Sequence, residues 1–148
     1  MTRVLVVDDE ATIRELIADA LREADYTVDV AANGSDALAQ MRRHRPDAIL
    51  LDLMMPVLDA AALCDLMRVD HHLAHIPVVV LSAAYGAEEA ARRLGAAGCL
   101  PKPFELDDLV DTVQRVAGEP TPLPVQRELA TLSRAPQPTT RRSRSNTF

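Results

Sequence analysis

Short apolar runs alternate with longer amphipathic segments five times along the first 118 residues of the chain. The apolar runs are four to six residues long and rich in Val, Ile and Leu, a composition typical of strands that are buried on both faces. They predict strands over residues 3–8, 27–31, 47–52, 77–82 and 98–101. Strands of this kind belong to parallel sheets, whose two faces are covered by helices.

The segment after each predicted strand has helical periodicity. In the first segment, apolar residues recur at spacings of three and four, at Ile13, Leu16, Ile17, Ala20 and Leu21. The second segment follows capping residues at 33–36 and stops before Pro46. The other three helices are predicted over about 59–70, 86–94 and 106–116, and Gly95 follows the fourth as a helix-ending residue.

Five such units predict one α/β domain over residues 1–118. Right-handed crossovers restrict the topology, and the doubly wound (βα)5 order 2-1-3-4-5 of flavodoxin-like folds is the usual arrangement at this size. In such sheets ligands bind beyond the carboxyl ends of the strands, near the switch point between strands 1 and 3. That edge is therefore where functional side chains are expected.

Residues 119–148 differ in composition from the rest of the chain. They hold five of the ten prolines and no glycine, and their five Arg and two Glu give a charge of 5 − 2 = +3. Since the whole chain carries -6, residues 1–118 carry -9. We predict a disordered tail, with a short helix over 124–135 as the alternative. The acidic domain is not expected to bind nucleic acid non-specifically.

The sequence indicates a cytoplasmic protein. It contains no run of about 18 apolar residues that could cross a membrane and no pattern of a secretory signal. The two cysteines, Cys64 and Cys99, match no common zinc spacing and fit a reducing compartment.

Polar residues stand at the carboxyl ends of four of the predicted strands. They are Asp8 and Asp9 at the end of strand 1, Asp52 at the end of strand 3, Ser82 at the end of strand 4, and Lys102, the only lysine, after strand 5. Any one of these is ordinarily a helix cap or a solvated turn residue. Together, at one edge of a parallel sheet, they predict a functional site.

The residue types at this edge suit phosphoryl transfer. Neighbouring carboxylates repel one another unless a cation joins them, and hard oxygen ligands favour Mg²⁺ (or Mn²⁺). A carboxylate can also act as a nucleophile toward phosphorus and form an aspartyl phosphate. The Lys102 ammonium and the Ser82 hydroxyl would neutralise and hydrogen-bond the phosphoryl oxygens.

These segments resemble the receiver domain of bacterial response regulators. The matching stretches are Val-Leu-Val-Val-Asp8-Asp9-Glu10, Leu-Leu-Asp52-Leu-Met-Met-Pro56, Val-Val-Leu-Ser82-Ala83 and Pro101-Lys102-Pro103-Phe104. The resemblance covers residues 3–117, about four-fifths of the chain, and leaves the tail outside.

The resemblance implies a role for each matching position. Asp52 would be the phosphoacceptor. In the Mg²⁺ site, Asp9 and the main-chain carbonyl of Met54 would be ligands beside it, and Asp8 would be the acid that orients a metal-bound water. Ser82 would be the switch hydroxyl and Lys102 the phosphate-binding lysine. The peptide bond to Pro103 would be cis, as such bonds are in tight turns.

Cys99, Val57 and Ala60 depart from the family pattern. Cys99 stands where an aromatic switch residue is usual, so coupling away from Ser82 is expected to be weaker or to work differently. Val57 and Ala60 replace frequent glycines. Met54 and Ala84 flank the site and cannot position water by hydrogen bonding, which predicts slow loss of the phosphoryl group.

The resemblance also implies partners. The donor would be a sensor histidine kinase or a phosphotransfer protein, and the output would pass through the face of helix 4, strand 5 and helix 5. We expect no direct DNA binding and no turnover of external substrates, and the sequence leaves homodimerisation open. Two alternatives are a receiver-like binding module that takes no phosphate and an Asp-nucleophile phosphohydrolase. The latter usually has a second carboxylate two residues after the nucleophile, where this chain has Met54.

The sequence contains two weaker signals of possible binding sites. His71, His72 and His75 include an i, i+4 pair, but without a third ligand a loop is favoured over a metal site. The run Arg141-Arg142-Ser143-Arg144 could contact an acidic partner or nucleic acid, and a solvated tail is favoured because no aromatics are interleaved.

Overall fold

The computed structural model describes residues 2–53, 60–82 and 87–118. The strands are β1 (Arg3–Val7), β2 (Thr27–Ala31), β3 (Ala48–Asp52), β4 (Val78–Ser82) and β5 (Gly98–Pro101). The helices are α1 (Ala11–Glu23), α2 (Gly34–Arg43), α3 (Ala60–Arg68), α4 (Ala87–Leu94) and α5 (Leu106–Ala117). All five predicted strands are confirmed, and their predicted bounds are wrong by one residue at most.

The five strands form one parallel sheet in the order β2-β1-β3-β4-β5. This confirms the predicted doubly wound, flavodoxin-like topology. Every residue of β3 and β4 is buried, as expected for central strands covered on both faces. The third helix ends at Arg68, two residues before the predicted end.

Two apolar clusters cover the two faces of the sheet. On one face, Ile17 and Leu21 of α1 and Leu109 and Val113 of α5 pack against alternate strand residues such as Leu50. The cluster on the other face includes Ala37 and Met41 of α2, Leu63 and Met67 of α3 and Ala91 of α4. Helices α1 and α5 therefore share one side of the sheet, and α2, α3 and α4 share the other.

Two of the predicted helix-end signals are present in the structure, at the start of α2 and at the end of α4. The Asn33 side chain accepts a hydrogen bond of 2.9 Å from the backbone N–H of Asp36 and caps α2. Gly95 follows α4 with φ +74°, a left-handed conformation that favours glycine. Within the described ranges, no helix is both long and apolar enough to cross a membrane.

Candidate functional site

The strand order brings three carboxylates together at one edge of the sheet. Val7 of β1 pairs with Leu51 of β3, so Asp8 and Asp52, the residues that follow them, emerge side by side. Carboxylate oxygens of Asp8, Asp9 and Asp52 all lie within 4.8 Å of one another. Asp8 is fully buried and Asp52 is 3% exposed, whereas Asp9 faces solvent. The cluster is thus a buried acidic pair with one exposed acidic neighbour.

Lys102, the only lysine of the chain, places its ammonium group beside Asp8 and Asp52. Its Nζ lies 3.5 Å from Asp52 Oδ1 and 3.8 Å from Asp8 Oδ2. The backbone fixes this position, because the N–H of Lys102 donates to the carbonyl of Ser82 across the end of the sheet at 2.9 Å. The peptide bond between Lys102 and Pro103 is cis. One cation therefore faces both buried carboxylates.

Asp8 lies in an environment that disfavours a charged carboxylate. Burial raises the pKa of its carboxyl above the ordinary value of 3.8, and the neighbouring Asp52 and Asp9 carboxylates raise this pKa further. A 2.9 Å hydrogen bond from the N–H of Glu10 to Asp8 Oδ1, together with the Lys102 ammonium, opposes the rise in pKa. Asp8 Oδ2 is buried and accepts no hydrogen bond from the described part of the chain.

This oxygen is the feature that fits a divalent cation. A buried carboxylate oxygen without a hydrogen bond is costly, and a metal ion would satisfy it. Asp8, Asp9 and Asp52 together offer hard oxygen ligands, and the exposed Asp9 leaves room for coordinated water, which Mg²⁺ usually retains. The donor set therefore suits Mg²⁺ or Mn²⁺ better than a thiophilic metal.

The raised pKa of Asp8 gives a prediction for stability. A group whose pKa is higher in the folded state than in the unfolded state binds protons more tightly when folded. Stability is therefore lost as pH rises from about 3.8 through the folded-state pKa. Asp8→Asn removes this penalty, and we expect it to raise the free energy of unfolding of the metal-free protein by about 1–3 kcal/mol at neutral pH. Urea unfolding in the presence of a chelator measures the change.

Two further measurements constrain this prediction. The gain from Asp8→Asn should shrink as pH falls toward and below 3.8, because Asp8 becomes protonated in both states there. The exposed Asp19→Asn is the matched control and should change stability by less than about 0.5 kcal/mol. An equal gain from Asp8→Asn at all pH values would contradict the electrostatic origin.

The structure places the other predicted site residues as follows. Ser82 is the last residue of β4 and is 1% exposed, one position beyond the pair formed by Leu81 and Asp52. Asp52, Ser82 and Lys102 thus end or follow three adjacent strands. Met54, Val57 and Ala84 lie outside the described residues, as does the tail. Ala60 begins α3 and is buried.

Cys99 lies on β5 and is partly buried against the apolar cluster of the α2–α4 face. Burial raises the pKa of its thiol, and Glu88 on α4 raises it further. A raised pKa keeps the thiol neutral, which favours a packing role over a redox role. Its effect on coupling from Ser82 stays a prediction.

The sequence did not predict that Arg14 belongs to this region. Arg14 of α1 donates a 2.9 Å hydrogen bond from Nη1 to the main-chain carbonyl of Asp8. Its side chain is only 17% exposed. The only signal was its place in the first turns of α1, directly after the acidic pair, and arginine is ordinarily solvated there.

The histidines do not form a second site in the part of the chain that is described. His71, His72 and His75 lie in the exposed turn between α3 and β4. Among the described residues, the group formed by Asp8, Asp9 and Asp52 is the only one of three or more His, Cys, Asp or Glu side chains that could hold a metal ion.

Comparison with known proteins identifies the type of domain. Residues 4–114 match the family model described as "Response regulator receiver domain". The response regulator MprA of Mycolicibacterium vanbaalenii is 37% identical over 122 residues, which cover 81% of this chain and 52% of that protein. MprA of Mycobacterium ulcerans is 40% identical over 110 residues, covering 73% of this chain and 47% of that protein. The chain thus spans about half the length of these curated relatives.

Solved structures agree with this match. The chemotaxis response regulator CheY4 of Vibrio cholerae has a TM-score of 0.73 and 35% identity, covering 78% of this chain and 98% of that one. The receiver domain of the sensor histidine kinase PA1611 from Pseudomonas aeruginosa has a TM-score of 0.73 and 31% identity, covering 80% and 98%. That structure is described with a magnesium ion coordinated in its active site cleft.

Proposed function

The chain belongs to the response regulator receiver family of two-component signalling, and from this premise we propose that it is a phosphorylation-dependent switch in which Asp52 accepts the phosphoryl group. The donor would be a phosphohistidine on a sensor histidine kinase or a phosphotransfer protein. Phosphorylation would then change the affinity of the domain for a downstream protein.

The observation that carries this proposal is the setting of Asp52. Its carboxylate is buried at the end of β3, with carboxylate oxygens of Asp8 and Asp9 within 4.8 Å and the Lys102 ammonium 3.5 Å away. An aspartate with a purely structural role would need only one hydrogen bond, as in a helix cap, or one ion-pair partner. Here a nucleophile, a cation and a set of metal ligands converge on one point, as in-line phosphoryl transfer requires.

The proposed chemistry assigns a task to each side chain. An oxygen of Asp52 attacks phosphorus and forms a P–O bond while the P–N bond of the donor phosphohistidine breaks. The electron pair of that bond returns to the imidazole nitrogen, which takes up a proton. Lys102 balances the negative charge on the transferred group, and the Ser82 hydroxyl donates a hydrogen bond to one of its oxygens.

A divalent cation completes the site. Asp8, Asp9, Asp52 and the main-chain carbonyl of Met54 would hold Mg²⁺, which supplies charge neutralisation to the phosphoryl oxygens when bound. The hydrogen bond from Glu10 to Asp8 orients one oxygen of that carboxylate and leaves the other available. Main-chain anchoring of Asp8 by Arg14 preserves this orientation.

The proposed output surface consists of α4, β5 and α5. Ser82 at the end of β4 adjoins β5, because β4 and β5 pair in parallel along their length. Cys99 of β5, which stands in place of the usual aromatic, pairs with Val80, two residues before Ser82. A signal that passes from Ser82 into β5 would therefore meet a small thiol where an aromatic ring is usual. The prediction that phosphate is lost slowly is retained, and it depends on Met54 and Ala84.

Family membership favours this function over the two alternatives. A receiver-like binding module would be expected to lack an acid or the lysine, and Asp8, Asp9, Asp52 and Lys102 are all present. A phosphohydrolase would be expected to have a carboxylate at position 54, which is Met.

Incubation with acetyl phosphate and Mg²⁺ tests the proposal directly. We expect one phosphoryl group per chain, detected by a retarded band on a phosphate-affinity gel and by its release with hydroxylamine, which cleaves acyl phosphates. Omission of the metal ion should prevent the modification. Absence of modification under both conditions would favour the binding module, and continuous release of phosphate from a phosphomonoester would favour the phosphohydrolase.

A further inference from the structure

Two grooves adjoin one another on the α1–α5 side of the molecule. The apolar groove, of about 370 Å³, lies between α1 and the segment that follows β5, and its lining includes Leu16, Phe104 and Leu106. The acidic groove, of about 560 Å³, lies between α1 and α5 and is lined by apolar side chains and by three carboxylates, from Glu23, Asp107 and Asp111. Leu106 lines both grooves, so they form one continuous surface.

This surface combines an exposed apolar side chain with carboxylates that have no ion-pair partner in the part of the chain that the structure describes, as expected of a binding surface. The Leu16 side chain is 51% exposed, although large apolar side chains at helix positions usually pack inward. Glu23, Asp107 and Asp111 are exposed and form no ion pair with any other described residue. A fitting occupant would carry both apolar side chains and positive charge.

The chain itself continues from this side of the molecule. The Tyr26 hydroxyl donates a 3.0 Å hydrogen bond to the carbonyl of Gly118, which ties the end of α5 to the turn between α1 and β2. Ala24, two residues before this tyrosine, lines the acidic groove. Thirty residues follow Gly118 in the sequence, so the tail leaves the domain next to the acidic groove.

The tail contains the apolar and positively charged residues that would complement this surface. Residues 123–134 contain Leu123, Val125, Leu129 and Leu132 together with Arg127 and Arg134, against the single acid Glu128. On the opposite side of the sheet, the end of α2 exposes Arg42 and Arg43, followed by Arg45, and these would repel an arginine-bearing segment there. Charge therefore directs an arginine-bearing segment to the α1–α5 side.

We propose that residues 123–134 bind in cis across these two grooves, with their leucines against Leu16 and Leu106 and their arginines near Glu23, Asp107 and Asp111. Tethering makes such an interaction effective even when it is intrinsically weak. A short flexible connection gives an effective concentration of the order of millimolar, so an intrinsic Kd of about 1 mM suffices for half occupancy. The apolar groove is also lined by Lys102, so the bound segment would lie beside the proposed phosphorylation site.

Amide spectra of the ¹⁵N-labelled full chain test the proposal. Arg127→Glu/Arg134→Glu is expected to shift the signals of Leu16, Glu23, Leu106 and Asp111 relative to the unmodified chain. Arg141→Glu/Arg142→Glu makes the same change of charge farther along the tail and should leave those signals in place. In about 1 M salt, where the Debye length is about 3 Å, the unmodified chain should move toward the spectrum of the first variant.

A charge exchange provides the converse test. Glu23→Arg/Asp111→Arg should also release the tail, and combining it with Arg127→Glu/Arg134→Glu should restore the contact. The decisive signals are those of Leu16 and Leu106, which neither variant replaces. The proposal is overturned if these signals ignore the tail variants, or if their shifts grow with protein concentration, because the occupant would then be a second copy of the chain.

Discussion

Replacing Asp52 with asparagine is expected to abolish phosphorylation of the chain by acetyl phosphate. The amide has nearly the same shape as the carboxylate, but its oxygen is a far weaker nucleophile and cannot form an acyl phosphate that persists. Asp52 is 3% exposed and lies 3.5 Å from the Lys102 ammonium, slightly closer than the other buried carboxylate, Asp8, at 3.8 Å. Gel retardation after incubation with acetyl phosphate and Mg²⁺ measures the loss.

The controls for this experiment separate chemistry from folding. Asp19→Asn makes the same change on an exposed turn of α1 and should be phosphorylated like the unmodified chain. Circular dichroism should show that the Asp52→Asn protein is folded. Retention of a hydroxylamine-sensitive modification in this variant would move the acceptor role to another residue, with Asp8 and Asp9 as the nearest carboxylates.

Lys102→Ala is expected to slow phosphorylation by about 10²–10³-fold, the usual effect of removing one group that stabilises transition-state charge. Mg²⁺ binding should persist and become tighter, since the ammonium 3.8 Å from Asp8 competes with the metal ion for the same carboxylates. The rate of modification by acetyl phosphate and the Mg²⁺ dependence of thermal unfolding measure the two effects separately.

Two further variants serve as controls for the Lys102→Ala experiment. Lys102→Arg keeps the positive charge but replaces a compact ammonium with a planar guanidinium, so it should recover only part of the rate. Arg93→Ala removes an exposed cation from α4 and should leave both measurements unchanged. If Lys102→Ala weakened Mg²⁺ binding and phosphorylation in parallel, the lysine would act by holding the site together.

The fold was predictable because each element carries its own signal. The buried run of β3 and the capping side chain of Asn33 are both local features, and the structure contains both where the sequence places them. Strand order followed from general rules of handedness and connection, since five βα units leave few arrangements. The helix end at Arg68 was missed by two residues because Val69 and Asp70 continue the pattern without a glycine or proline to stop it.

The site was only partly predictable. Convergence of Asp8, Asp52 and Lys102 follows from parallel strands that end at one edge, and the sequence contained that information. The uneven burial of the acids, with Asp9 exposed and Asp8 enclosed, depends on how the chain turns into α1 and had no local signal. The same is true of Arg14, whose contact with the Asp8 carbonyl requires α1 to pack back over the end of β1.

The solitary lysine at the site has a practical consequence. Fifteen of the sixteen basic residues are arginine, so Lys102 carries the only side-chain amine in the chain. It is partly accessible, with 25% of its side chain exposed. Acylating reagents modify many lysine amines in most proteins. In this chain they therefore have a single side-chain amine to modify, in addition to the amino terminus. Covalent labelling of this amine, followed by peptide mapping, would report whether the acidic cleft is open or protected in an unmutated protein, even in a crude mixture.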